Sequence, residues 1–269
     1  MSSSELVIRH EGVGDTCCPV PWAVLTVDGR FVTRTDANQL RERRLTPAGV
    51  QRVRDELIAT GLFERDQAFP LELLPGATPP AHGIGGWSFK AWRDTRIVEV
   101  GTAMHQGAEE SYYQPSAART RLDRLSKQLR NPETWLPGSA WADPTPRQYE
   151  PAAFVLLLRM EPGVQNARPT IDELGVTWPF SAGPLALGAT LPPAAGPFAE
   201  TTRCSALTRE DMLAVKDSIV RAGGSDGMQT SPDGAFTVGF GAHGQQSGLV
   251  VMVRPLLPDR ASCNGEYVQ

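Results

Sequence analysis

The spacing of apolar and polar positions changes several times along the 269-residue chain, and each change marks an element. Leu6 to His10 reads as a strand. Trp22–Val27 and Arg30–Arg34 are two β-prone runs around Asp28-Gly29, which predicts a hairpin with a two-residue turn, both central residues at positive φ. A helix follows. Thr46 can cap its first turn, Pro47 suits the first helical position, and Leu45 can staple onto Val50. Val50, Val53, Leu57 and Ile58 line one face at helical spacing, Gly61 supplies the stop, and Gly49 is the weak point inside. After a Pro/Gly-rich loop from Leu74 to Gly86, Trp87–Ala91 and Arg96–Val100 predict a second hairpin. A second helix opens at Pro115, puts Ala118, Leu122, Leu125 and Leu129 on one face, and ends at Asn131-Pro132.

The second half begins with Phe154–Leu158, a continuous apolar run that predicts a strand buried on both faces. Val176–Trp178 is a weaker strand, and Ser181–Pro197, poor in charge, reads as ordered loop. Thr208 opens a third helix with an approximate capping box to Asp211. Met212, Val215 and Ile219 form its apolar face and Gly223-Gly224 its stop. Strands at Ala235–Phe240 and Leu249–Val253 close the chain.

Residues 45–61 align without gaps on 207–223, sharing Leu-Thr at the start, Val53 with Val215, Asp55 with Asp217 and the terminal glycine. The expected fold is therefore α+β: antiparallel sheets each covered by a helix, in a tandem strand-strand-helix-strand-strand repeat with an extra helix between. Any capped amphipathic helix shares these features, so coincidence is the competing reading. The expected units are 1–136 and 147–269, joined by a Pro/Gly-rich linker at 137–146.

Composition narrows the class. Glycine (26) and proline (23) make the chain loop-rich. With 26 basic against 30 acidic residues and a net charge of -4, the chain lacks the basic field that nucleic-acid binding needs. The longest strictly apolar run, Ala152–Leu158, falls far short of the roughly 20 residues of a membrane span. Lys90, Lys127 and Lys216 are the only lysines. Coding bias accounts for this first, arginine used for phosphate or carboxylate recognition second. Arg41, Arg43 and Arg44 form the one tight cluster and read as a solvated loop.

The four cysteines bear on compartment. Pairing Cys204 with Cys263 would close a loop of about 60 residues, stabilising by ~4 kcal/mol in the chain-entropy model. Cys17 and Cys18 are then a vicinal bridge or free thiols. The Ser-rich start lacks an apolar targeting segment, so the chain is either cytoplasmic or an exported protein whose leader is absent from this sequence; the second is expected.

The run Cys18-Pro19-Val20-Pro21-Trp22 into Asp28-Gly29-Arg30, the helix ending Gly61-Leu62-Phe63, and Arg254–Asp259 followed by Cys263 resemble bacterial envelope lipoproteins of unknown function. The patches cover about a third of the chain. The resemblance implies an extracytoplasmic location and a lipid anchor absent from this chain. It implies no activity and no catalytic residues.

The motifs offer little chemistry. Gly223-Gly224-Ser225-Asp226-Gly227 matches G-x-S-x-G, but a helix precedes it where a nucleophile elbow needs a strand. Asp226 and Asp233 lack calcium-loop spacing. His10, His82, His105 and His243 show no metal-ligand spacing, and Glu109-Glu110 reads as solvated. No cofactor or metal is expected. The loop aromatics Trp135 and Trp141, with Trp92 on a strand face, are the candidate binding surface. Two functions follow. One is a non-catalytic exported envelope protein that binds a partner protein or small ligand through loops. The alternative is a hydrolase assembled from Ser225, His243 and Asp226.

Overall fold

The computed structural model describes residues 5–13, 20–78, 84–93, 96–105, 112–160, 177–183, 186–190, 202–221, 229–230, 236–240 and 249–260. The fold is α+β, and the chain divides into two units between Tyr149 and Glu150. The first unit contains β1 (Leu6–Val13), β2 (Ala23–Thr26), β3 (Arg30–Arg34), β4 (Leu40–Arg44), α1 (Pro47–Ala59), β5 (Gln67–Phe69), β6 (Ile84–Arg93), β7 (Arg96–His105), α2 (Ala117–Arg130) and β8 (Arg147–Gln148). Its strands run in the order β5-β7-β6-β1-β2-β3-β4-β8, antiparallel except for β5 against β7.

The first hairpin forms, but its turn has three residues. Thr26 carbonyl accepts from Gly29 N–H at 2.9 Å, and Gly29 alone in the turn has positive φ, 86°. Pairing of Leu25 with Phe31 leaves residues 27–29 as the loop, a type I turn closed by a left-handed glycine. Thr26 Oγ1 holds the turn by donating to Asp28 Oδ1 at 2.6 Å. A side chain at Gly29 would strike the Leu45 carbonyl, 2.4 Å from a built Cβ.

Thr46 caps α1 as expected, accepting from Gly49 N–H at 3.1 Å, and Gly61 follows the helix at φ 67°. Val50, Val53 and Leu57 are buried, whereas Ile58 is 53% exposed. Ile58 lies about 100° around the helix from Leu57, outside the apolar stripe. On α2, Leu122, Leu125 and Leu129 are buried in the same cluster as Phe31, Phe63 and Phe89. Both helices thus contribute to one core, on the sheet face that carries Ile8, Leu25, Phe31 and Phe89.

The segment expected as a linker, 137–146, belongs to the first unit. The short 3₁₀ helix Gly138–Ala140 packs on α1, Ala140 is buried, and the Ala140 carbonyl accepts from Thr46 N–H at 2.9 Å. Its prolines and glycine are exposed, and Ala140 and Trp141 make the contact with the core.

The second unit contains β9 (Phe154–Met160), β10 (Ala189–Thr190), β11 (Thr202–Leu207), α3 (Arg209–Arg221), β12 (Gln229–Thr230), β13 (Phe236–Phe240) and β14 (Leu249–Pro255), in the antiparallel order β10-β11-β9-β14-β13-β12. The capping box on α3 is reciprocal: Asp211 N–H donates to Thr208 Oγ1 at 3.1 Å, and Thr208 N–H to Asp211 Oδ2 at 3.2 Å. Met212, Val215 and Ile219 pack on Leu156, Leu158 and Val253. Leu157, on the opposite face of β9, is also buried, as expected for a strand covered on both sides. Trp178 is not in a strand. It packs against the α3 core and donates from Nε1 to the Ala182 carbonyl at 3.0 Å.

Val53 and Val215 are both fully buried, as expected, each in the core of its own unit. The strand orders differ. In the first unit β1 lies beside β6, the first long strand after α1; in the second, β9 lies beside β14, the last strand after α3. Matched caps specify where helices start and stop, and strand order depends on the connections that follow.

Candidate functional site

The Arg41–Arg44 run is strand, not solvated loop. Its residues alternate across β4, so Arg41 and Arg43 share the face of their cross-strand partners Thr33 and Phe31, while Glu42 takes the other. Glu42 is buried there, accepting from Arg30 Nε at 2.6 Å and Arg147 at 3.3 Å. Leu-Arg-Glu-Arg-Arg carries no hydrophobic alternation, which hid the strand. The available signal was an acid spaced between arginines, a pattern that suits a cross-strand ion pair.

The face of Arg41 and Arg43 floors a groove of about 370 Å³. The C-terminal end of α2, through Arg130 and Asn131, bounds it along with Trp141 and Pro146. Trp141 stacks on Phe31 with ring centroids 6.4 Å apart and planes 16° apart. The Arg43 guanidinium lies over Trp141 at 4.1 Å and is steered by two carbonyls, Asp143 at 3.0 Å and Pro144 at 2.7 Å. At the other end, Arg34 and Arg130 both lie over the Trp22 ring, at 3.8 and 4.1 Å. Arg130 also pairs with Asp36 at 2.7 Å.

The candidate aromatics separate in their roles. Trp141 lines the groove. Trp135 packs against the first core and donates from Nε1 to the Gln128 carbonyl at 2.9 Å, plugging the core's edge. Trp92 is half-buried on β6, on the face opposite Phe89 and Ala91. Trp22 was absent from the sequence-derived candidates, because its stack with two arginines joins residues far apart in the chain.

Of the cysteines, Cys204 is buried in β11 and is not a free thiol. Cys17, Cys18 and Cys263 lie outside the described residues, as do Ser225, Asp226, Asp233, His243, His82, Glu109 and Glu110. Among the described residues, no three His, Cys, Asp or Glu side chains converge as a metal site requires, and no helix is long and apolar enough to cross a membrane.

A His–Ser contact does form elsewhere. His10 Nε2 lies 2.8 Å from Ser126 Oγ, with the ring stacked on Phe89 at 4.4 Å and edge-on to Trp87 at 5.1 Å. His10 is fully buried and Ser126 is 2% exposed. Burial pushes the His10 pKa down to about 3; the Ser88 backbone offsets this in part, although no well-aligned hydrogen bond to Nδ1 forms among the described residues. An imidazole this acidic is a weak base at neutral pH, and the hydroxyl is closed to substrate. The pair ties α2 to β1. Across the sheet, Glu11 pairs with Arg9 at 2.7 Å and Lys90 at 3.1 Å, a largely buried ionic ladder on adjacent strands. No family model, curated protein or solved structure matches the chain.

Proposed function

We propose that this is a non-catalytic binding protein that engages a ligand or partner through the groove of its first unit. The observation that carries the reading is the groove of about 370 Å³, in which Arg43 is pre-oriented by two carbonyls and the Trp141 ring. That volume lies in the range of small-molecule sites, and a guanidinium already ordered loses little entropy on binding. The His10–Ser126 pair, closed and weakly basic, supports a structural role over catalysis.

The test sets this against the hydrolase reading. Wild type is expected to be inert on ester, peptide and glycoside panels, and Trp141→Ala to weaken capture of a ligand or partner. A wild-type turnover abolished by Ser225→Ala or His243→Ala, with circular dichroism unchanged, sinks the binding reading.

The proposal includes an extracytoplasmic location, supported by the resemblance to envelope lipoproteins and by a Cys204 that is not a free thiol. We pair Cys204 with Cys263. Mass mapping under non-reducing conditions is expected to recover one linked peptide containing both. Two free thiols, from protein made in an oxidising compartment, would defeat the pairing and favour a cytoplasmic location.

A further inference from the structure

We propose that the groove is an oxyanion site, in which Arg41 and Arg43 bind a carboxylate or phosphate group of a small ligand. The inference rests on the reading of this groove as the binding site and names the chemistry that it takes. Being two apart on β4, the arginines project from one face with backbones about 6.6 Å apart. Arg43 spends two N–H groups on the Asp143 and Pro144 carbonyls. A guanidinium has five, so about three remain for a ligand. Neutral carbonyls orient the positive charge without cancelling it. Arg41 is exposed, and its side chain makes no hydrogen bond or ion pair among the described residues.

The carboxylates nearby leave this charge largely intact. Glu42 is committed to Arg30 and Arg147, and Asp36 to Arg130. Glu133, exposed on the rim, opposes an anion. The C-terminal dipole of α2 does so as well, and Arg130 in its last turn counters that dipole. Thr33, the cross-strand neighbour of Arg41, adds a hydroxyl that can donate to the same oxygen cluster. A planar fork beside a second guanidinium matches an oxyanion geometrically and not only by charge.

The experiment follows the Trp141 indole N–H in the ¹⁵N-labelled full chain, assigned with Trp141→Phe, at constant ionic strength. Inorganic phosphate, succinate and neutral succinamide are titrated separately, followed by a panel of neutral and cationic aromatic fragments. Phosphate or succinate is expected to shift the Trp141 signal with saturation, and succinamide to leave it in place. The stronger of the two anions identifies the phosphate or the carboxylate source. Arg41→Gln, which removes no side-chain hydrogen bond or ion pair among the described residues, is expected to weaken binding about tenfold, as is Arg43→Gln. Anion binding undiminished in Arg41→Gln overturns the inference. If only neutral or cationic fragments move Trp141, the groove remains a binding site and the oxyanion inference falls. If nothing moves it, both fall.

Discussion

Lowering the pH from neutrality toward 3 is expected to cost the first unit several kcal/mol of stability through His10 alone. Its imidazole titrates near 3 in the folded chain against 6.5 in its absence, because burial disfavours the charged form; Arg130 and Arg34 add repulsion, and Glu11 opposes them. Between those values the unfolded state holds a proton that the folded state lacks, so stability rises with pH in this window and is flat above it. A shift of this size amounts to about 4–5 kcal/mol at pH 3. Urea unfolding across a pH series measures the slope. Trp22, Trp87, Trp92, Trp135 and Trp141 all precede residue 150, so tryptophan fluorescence chiefly reports the first unit. His10→Gln keeps a donor for Ser126 and removes the titration, and its slope between pH 6.5 and 3 is expected to be much shallower. Equal slopes in the two proteins would show that His10 is not the acid-sensitive group.

Gly49→Ala is expected to destabilise, against the ordinary preference of helices. In an open helix the exchange gains about 1 kcal/mol. Here a Cβ would sit 2.3 Å from the Ala140 carbonyl oxygen and 3.2 Å from the Ala140 Cβ. That oxygen is anchored by Thr46 N–H and Thr46 Oγ1, at 2.9 and 3.3 Å, so it cannot retreat without breaking the cap contact. The net loss is expected to be about 1–3 kcal/mol, as for overpacking of a core. Trp141 follows Ala140 directly, so the groove wall should shift with it and its indole N–H signal should move. Gly138→Ala, with nothing within 4 Å of a built Cβ, is the near-neutral control. A stabilised Gly49→Ala would mean that the 3₁₀ segment yields freely and that Gly49 is only a propensity defect.

Local signals in the chain determined the helices and the central strands. Thr46-Pro47 and Thr208 with Asp211 mark starts whose caps form, whereas the second helix, expected to open at Pro115, begins at Ala117 with Ser116 as its cap. The 3.6-residue spacing of Val50, Val53 and Leu57 or Met212, Val215 and Ile219 assigns the buried faces. These are interactions within one or two turns, so a single sequence carries them whole. The Asp28-Gly29 turn shows the limit: the dipeptide announces a hairpin, while its three-residue loop depends on the Leu25–Phe31 register and on Leu45 closing over Gly29.

Tertiary structure alone decided the rest. β4 is a strand because Glu42 finds Arg30 and Arg147 across the sheet, partners 12 and 105 residues away. The 137–146 segment joins the first unit through Ala140, which packs on α1 where Gly49 leaves room for its carbonyl. The strand order in the two units diverges although the helix signals match, since caps carry no information about which strand reaches the centre of a sheet. The groove brings together Arg41, Arg43, Arg130 and Trp141 from segments with no shared motif. Its chemistry arises from convergence in space, where charge, ring and carbonyl meet only after β4, α2 and the 3₁₀ segment have packed.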